Sequence, residues 1–247
     1  MRRSISILLL GLFVFAAMQA SHSCAAGFND AQYSEAEKVG FAFYKLANAK
    51  PDLQAWIVNS DAYLTDYPQA RKDKLPGEVA RLQTGFRLYD PARDVFGFKS
   101  GVLVHPGHET GADGADKYFL TLDLDGIPEH FFPYKIAQDW FIVFPNDADK
   151  LFRIDFADKQ QMDSVLKTLR IRSGQKQGKA SVTVHMLAAS VDATAPVKVD
   201  GIQGWALGAN IAEIELDSVP GDLRAWYYKA PWYIPDNEQA LRNLYQK

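Results

Sequence analysis

The chain has 247 residues, a formal net charge of −3 and a single cysteine, Cys24. Acidic and basic residues are interspersed, without the basic block that nucleic acid or an anionic lipid surface requires. This composition therefore excludes a nucleic-acid-binding protein and is typical of a globular chain with one large domain or two small ones.

The first residues have the three zones of a secretory signal peptide. Arg2 and Arg3 form a positive start, an apolar run from Ile5 to Ala17 follows, and small and polar residues come next. The run is shorter than the about 20 residues that a permanent transmembrane helix needs, and no later stretch approaches that length. We therefore expect residues 1–26 to be a signal peptide of a bacterial protein that is secreted or periplasmic and has no transmembrane helix.

Cleavage after Ala25 or Ala26 removes Cys24, so the mature chain holds no thiol for a disulfide, for catalysis or for zinc. It also removes two arginines, which brings the formal net charge to −5. A lipid anchor at Cys24 is the alternative, because a lipoprotein signal ends directly before a cysteine. Of the three residues before Cys24, only Ser23 suits that signal well.

The beginning of the mature chain has a helical pattern. Ser34 and Glu37 predict a capping box, and the apolar stripe behind them predicts a helix. Phe41 and Tyr44 lie off this stripe, so we expect the helix to be covered on more than one side. A short helix is predicted over "PDLQAWIVNS", and a third is predicted to begin near Pro76, because proline suits the first helical turn.

From Val95 onward, the period of the apolar residues is two. "KYFLTLDLDG" and "LFRIDFAD" alternate, "DWFIVFPND" is apolar throughout, and tight turns separate them, which favours an antiparallel sheet. One further helix is predicted behind Asp158. Five later segments read as strands: "SVTVHML", "APVKVDG", "GWALGA", "NIAEIELDSV" and the aromatic "LRAWYYKAPWY".

These elements predict an α+β fold, in which N-terminal helices pack on a mainly antiparallel β-sheet. A β-rich C-terminal unit and a short terminal helix, capped by Asp236, follow. The polar stretch "SGQKQGK" separates a helical and sheet region, residues 27–173, from a β-rich region, residues 179–247. The two regions are either two separate domains or two parts of one domain.

A metal site is the main candidate for catalytic chemistry. His105, His108 and Glu109 lie close together in "HPGHETGADGADKY", where Pro106-Gly107 predicts a loop on which the two histidines meet, and His130 follows a nearby turn. Imidazole and carboxylate groups are ligands of zinc and of other divalent metals, so these four residues predict a metal site. The spacing does not match the helical His-Glu-x-x-His motif, and a polar hairpin turn without metal is the alternative.

The aromatic residues near the C-terminus are the second candidate. Alternation in "RAWYYKAPWY" sends Trp226 and Tyr228 to one side of a strand and Tyr227 to the other. Exposed rings can stack on a sugar or clamp a peptide, so we take Trp226, Tyr228 and Trp232 as candidate ligand-binding residues. The alternative is that these rings fill the core.

Other catalytic signals are absent from the sequence, including a Gly-x-Ser-x-Gly elbow and a phosphate-binding loop. We therefore expect an exported, non-catalytic protein without a cofactor, which binds a protein or a glycan through its β-rich part. One alternative is a metal-dependent hydrolase that uses His105, His108 and Glu109. Another is a carbohydrate-binding module that uses the C-terminal aromatic residues.

The predicted signal peptide generates the first testable prediction. Expression of the full chain in a bacterium with a secretion pathway is expected to yield an exported product cut after Ser23, Ala25 or Ala26, because the charged start and apolar run direct processing. Intact-mass spectrometry of the extracytoplasmic fraction measures this. An uncut chain from Met1 to Lys247 in the cytoplasm contradicts the prediction.

Overall fold

The computed structural model describes residues 28–124, 131–172, 174–220 and 223–235. The predicted signal peptide, Cys24, His130 and the predicted terminal helix at Asp236 lie outside these residues. The α-helices are α1 (Glu35–Leu46), α2 (Leu53–Val58), α3 (Asp61–Thr65), α4 (Pro68–Leu88), α5 (Asp149–Phe152) and α6 (Lys159–Thr168). The strands are β1 (Phe96–Thr110), β2 (Asp116–Leu124), β3 (Phe132–Ile136), β4 (Asp139–Pro145), β5 (Arg153–Phe156), β6 (Gly178–Val199), β7 (Ile202–Ser218) and β8 (Arg224–Lys229).

The eight strands form one sheet in the order β3-β4-β7-β6-β1-β2-β5, and β8 pairs with β7. Every pair is antiparallel except β4 with β7. The prediction of an α+β fold with N-terminal helices and a mainly antiparallel sheet is therefore confirmed. Strands β6 and β7 lie between β1 and β4, so the segments on both sides of the predicted boundary pair within the same sheet.

The sheet curls, so that β3 returns to β1 although three strands separate them in the sheet order. The rings of Phe98 and Phe132 stack with centroids 4.4 Å apart. The buried Tyr134 hydroxyl donates to the carbonyl oxygen of Gly97 at 3.0 Å. These contacts join β3 to the edge of β1 by side chains, where the strands themselves are not paired.

Helix α1 occupies the inside of this curl. Its predicted capping box is confirmed: the Ser34 amide donates to Glu37 Oε2 at 2.8 Å, and the Glu37 amide donates to Ser34 Oγ at 3.2 Å. All six residues from Lys38 to Phe43 are buried, as expected for a helix covered on more than one side. The Phe43 ring lies 5.5 Å from the ring of Phe141 on β4, which fixes α1 against the sheet.

The third helical segment differs from its prediction, because α4 begins at Pro68 and contains Pro76 in its interior. Pro68 takes the first-turn position that the sequence analysis gave to Pro76. A proline inside a helix cannot donate to the carbonyl four residues earlier and usually ends or kinks the helix. Pro76 is exposed to solvent, so water can bind the carbonyl that the helix leaves unpaired.

Four of the predicted C-terminal strands merge into two long ones. "SVTVHML" and "APVKVDG" both belong to β6, whereas "GWALGA" and "NIAEIELDSV" both belong to β7. The register of this pair shifts at three places, between His185 and Met186, between Ala188 and Ser190, and between Asp192 and Val197. Such bulges shift the side-chain alternation without ending a strand. The apolar pattern of the sequence is therefore interrupted at positions where both strands continue.

The packing of α1 generates a stability prediction for Gly40. A Cβ atom at Gly40 would lie 2.6 Å from Ile136 Cδ1 and 2.6 Å from Trp56 Cη2. We expect Gly40→Ala to lower the free energy of unfolding by about 1–3 kcal/mol, because overpacking outweighs the gain in helix propensity. Urea denaturation measures the change.

Gly77 in α4 provides the matched control, because a Cβ atom there meets no other atom within 4 Å. Gly77→Ala is expected to raise the free energy of unfolding by about 0.5–1 kcal/mol, since alanine favours a helix over glycine. Equal effects of the two substitutions would show that the interior of the curl tolerates a larger side chain at Gly40.

Candidate functional site

The predicted metal ligands on β1 lie on a strand and not in a loop. β1 pairs with β2 without a register shift, with His105 opposite Thr121 and His108 opposite Tyr118. Because side chains alternate along a strand, His105 and Glu109 share one face, whereas His108 lies on the opposite face. The structure therefore does not bring His105 and His108 together.

His108 forms a small polar cluster at the end of the β1–β2 hairpin. Its Nε2 atom lies 3.1 Å from Asp116 Oδ1, and its ring centroid is 5.0 Å from that of Tyr118. The same Asp116 carboxylate accepts from the Thr110 hydroxyl at 3.2 Å. Hydrogen bonds from His108 and then from Thr110 lower the pKa of Asp116. Both His108 and Asp116 are solvent-exposed, so solvent screens their interaction.

The carboxylate of Glu109 is held by a cation. Arg153 on β5 donates from its Nη2 atom to Glu109 Oε1 at 2.9 Å and from its Nε atom to Asp155 Oδ1 at 2.8 Å. The guanidinium carbon lies 3.8 Å from the centre of the Phe119 ring. Glu109 therefore belongs to an ion-pair group that crosses three strands of the sheet.

His130, the fourth predicted ligand, lies outside the described residues. Within residues 28–124, 131–172, 174–220 and 223–235, three or more His, Cys, Asp or Glu side chains do not group in a way that could hold a metal ion. The metal site thus stays a prediction, and it cannot include both His105 and His108 as ligands of one ion in this arrangement.

The C-terminal aromatic residues divide between the core and the surface. Trp226 and Tyr228 on β8 pair with Leu216 and Ile214, and their rings pack against the hydrophobic core. Trp232, which follows the strand, is 48% exposed. The three candidate ligand-binding rings therefore do not form one exposed platform.

Tyr227 lies on the opposite face of β8 and is 39% exposed. Its hydroxyl donates to Glu213 Oε1 at 2.5 Å, and the Arg224 guanidinium lies 5.1 Å from the ring centre. Partial burial, followed by the Glu213 carboxylate, raises the pKa of the Tyr227 phenol. The phenol therefore stays protonated at neutral pH and remains a donor to Glu213.

The feature that the sequence analysis missed is a two-stranded extension of the sheet, residues 193–204, which we call the β6–β7 ribbon. β1 pairs with β6 only as far as Met186, and β4 pairs with β7 only from Trp205 onward. The ribbon thus extends beyond the neighbouring strands of the described sheet. Its tip is Asp200-Gly201, with φ of 47° and 82°.

The signal for this ribbon is present in the sequence. Asp-Gly between alternating apolar residues is typical of a two-residue hairpin turn, because both turn residues need positive φ. The alternation in "VKVDGIQ" places Val197, Val199 and Ile202 around Asp200-Gly201 in this way. The extent of the ribbon beyond the other strands depends on the pairing of distant segments, which the sequence pattern does not specify.

Comparison of the chain with protein-family models, with curated proteins and with solved structures finds no match. In the described part of the chain, the helices are too short or too polar to cross a membrane.

The His108 cluster generates a prediction about pH. Because the hydrogen bond from His108 lowers the pKa of Asp116, His108→Ala is expected to raise that pKa toward its ordinary value. The folded state gains stability from the ionised carboxylate above the unfolded pKa, and loses it as the pH falls through the lowered folded pKa. Carbon NMR of the Asp116 carboxyl group during an acid titration measures the change.

His105→Ala is the control for this titration, because His105 lies on the opposite face of β1. It is expected to leave the pKa of Asp116 unchanged. A pKa of Asp116 that responds equally to both substitutions would contradict the placement of the two histidines on opposite faces.

Proposed function

We propose that this chain is an exported, non-catalytic envelope or periplasmic protein that binds a macromolecular partner through the β6–β7 ribbon. Support for export comes from the charged, apolar and small-residue zones of residues 1–26. Support for binding through the β-rich part comes from one observation, the extension of the ribbon beyond its neighbouring strands.

The edge of β6 that faces away from β7 supports the proposal of a macromolecular partner. Beyond Met186, β6 pairs with β7 at residues 187–188, 190–192 and 197–199, and no described strand pairs with its other edge. Residues 192–196 are all exposed. An isolated two-stranded ribbon is only marginally stable in water, so a ribbon of this length gains stability when another surface covers it.

The tip of the ribbon indicates how a partner makes contact. Val199 pairs with Ile202 and Val197 pairs with Gly204, so the three aliphatic side chains share one face. Pro196 and Lys198 lie on the strand with the free edge, and both residue types disfavour the addition of another strand. The ribbon therefore favours a partner that packs on its aliphatic face over one that extends the sheet.

The two alternative functions have less support from the geometry. The metal-dependent hydrolase needs His105 and His108 to converge, and β1 directs them to opposite faces. The carbohydrate-binding module needs exposed rings, and Trp226 and Tyr228 pack against the core. Binding through the ribbon requires no rearrangement of the described fold.

Photo-crosslinking in intact cells of the source organism tests the proposal. A photoreactive amino acid replaces Ala193, which is exposed on the ribbon, or Lys167, which is exposed on α6. We expect a discrete covalent adduct from position 193 and none from position 167. An adduct of twice the chain mass identifies the partner as a second copy of this protein.

A shortened ribbon provides the specificity control. Deletion of Lys198, Val199, Ile202 and Gln203 keeps the Asp200-Gly201 turn and removes two residues from each strand, so the register is preserved. The adduct from position 193 is expected to fall more than about tenfold, because apolar residues at the centre of an interface carry most of the binding energy. Absence of an adduct, or an adduct that the deletion leaves intact, overturns the proposal.

A further inference from the structure

A cavity of about 450 Å³ opens between the helical layer and the turn that joins β3 to β4. Its walls come from α1, α2, α3, α4 and the residues at the end of β3. This volume lies within the range of sites that hold small organic ligands, which is roughly 300–1,000 Å³. The cavity is separate from the β6–β7 ribbon and contains none of the residues that the sequence analysis singled out as a site.

The floor of the cavity is apolar and fixed. Four residues of the buried core line it, namely Trp56, Ile57, Leu82 and Ile136. The half-buried Tyr63 on α3 continues this lining toward the mouth. The Trp56 indole N–H donates to Asp139 Oδ2 at 3.0 Å, so the indole ring is held in place before a ligand enters. An apolar molecule therefore meets a preformed hydrophobic surface.

The charged side chains of the rim are bound to one another. The guanidinium of Arg81 contacts Glu37 at 2.7 Å and Glu78 at 2.9 Å, so two carboxylates share one cation. The ammonium group of Lys74 contacts Asp66 at 2.8 Å. These cations and carboxylates already have partners of opposite charge, so the rim attracts neither an anion nor a cation strongly.

Lys135 also belongs to the lining, but its charge does not face the cavity. Side chains alternate along β3, so Lys135 lies on the face of the strand opposite Ile136 and the floor. Its ammonium group packs 5.6 Å from the centre of the Trp140 ring. Among the described residues, every buried side-chain nitrogen and oxygen has a hydrogen-bond partner. The cavity therefore presents neither a free charge nor a buried polar group that needs a ligand.

We propose that this cavity binds an uncharged, largely apolar small molecule. Burial of the apolar surface of the ligand against the floor supplies the affinity. A charged group on the ligand would lose its hydration without gaining a free counter-charge from the rim, so charge weakens binding. The pairing of the rim charges thus sets the preference for an uncharged ligand. The proposal is independent of the ribbon and of any partner that the ribbon binds.

The outer wall allows such a ligand to enter. None of the residues of α3 is buried, and in α4 only Leu82 and Gly85 are. Polar contacts hold this wall, namely the Lys74–Asp66 ion pair and the hydrogen bonds from Arg71 to the carbonyl oxygens of Leu64 and Asp66. Few buried apolar contacts and many exposed polar ones are typical of a segment that opens locally.

Two dyes with the same ring system test the proposal on the purified protein. N-phenyl-1-naphthylamine is uncharged, whereas 8-anilinonaphthalene-1-sulfonate carries an additional sulfonate, and both fluoresce more strongly in apolar surroundings. We expect the uncharged dye to bind at one site and the sulfonate to bind more than about tenfold more weakly, because the rim offers no free cation to the sulfonate. Fluorescence titration measures both affinities.

Glu78→Gln tests whether the pairing of the rim charges sets this preference. The substitution leaves Arg81 with Glu37 as its one carboxylate partner on the rim. Binding of the sulfonate is expected to strengthen about threefold to tenfold, whereas binding of the uncharged dye stays the same. Asp163→Asn is the matched control, because it removes a carboxylate from the exposed ion pair with Lys159 on α6, outside the cavity.

A filled mouth separates binding in the cavity from binding elsewhere. Ala62 lines the cavity and is exposed, so Ala62→Trp adds a ring at the mouth without disturbing the buried core. It is expected to weaken binding of the uncharged dye more than about tenfold while the unfolding temperature stays the same. Ala193→Trp adds the same ring to the exposed ribbon and is expected to leave dye binding unchanged.

Four outcomes overturn the proposal. They are absence of binding of the uncharged dye, equal affinities for the two dyes, equal effects of Ala62→Trp and Ala193→Trp on the uncharged dye, and equal sulfonate affinities in Glu78→Gln and Asp163→Asn.

Discussion

The burial of α1 on all sides is the constraint on which the rest of the structure depends. A helix in the centre of a small protein must bury whatever its sequence holds, and α1 buries Lys38 with only 3% of its side chain exposed. The ammonium group is compensated by Asp30 at 2.5 Å and by Glu35 at 2.8 Å. A buried cation is tolerated only with such partners, so the start of α1 has a defined position relative to both carboxylates.

Glu35 connects the buried Lys38 at the start of α1 to β1 of the sheet. Its second carboxylate oxygen accepts from the amide of Gly97, while the carbonyl oxygen of Gly97 accepts from the Tyr134 hydroxyl. Both backbone groups of Gly97 are thereby satisfied on the edge of β1 that faces away from β6, where no described strand pairs with it. Burial, followed by the charge of Glu35, raises the pKa of Tyr134 well above its ordinary value, so the phenol remains a donor. The curl of the sheet and the position of α1 are thus set by the same few polar contacts.

Local signals predicted the parts of this fold that depend on neighbouring residues. The caps at Ser34 and Asp158 and the alternation in β2 are examples, and the structure confirms them. Local signals did not predict the parts of the fold that depend on pairing with a distant segment of the chain. The register shifts between β6 and β7 interrupt the apolar pattern, so the sequence predicted four short strands instead of two long ones. Pro106-Gly107 predicted a loop, whereas pairing with β2 keeps this segment in a strand. Once that strand is known, a separation of three residues is enough to place His105 and His108 on opposite faces.

The base of the ribbon lies directly against the backbone of β4. Gly204 at the base of the ribbon approaches β4 so closely that a Cβ atom there would lie 2.6 Å from the carbonyl oxygen of Trp140. Trp140 in turn pairs with Lys135 on β3. Since the obstacle is backbone, it cannot rotate away as a side chain can, and glycine is required for this approach. The same close contact therefore fixes the direction in which the ribbon leaves the sheet relative to β4 and, through the pairing of β4 with β3, relative to β3.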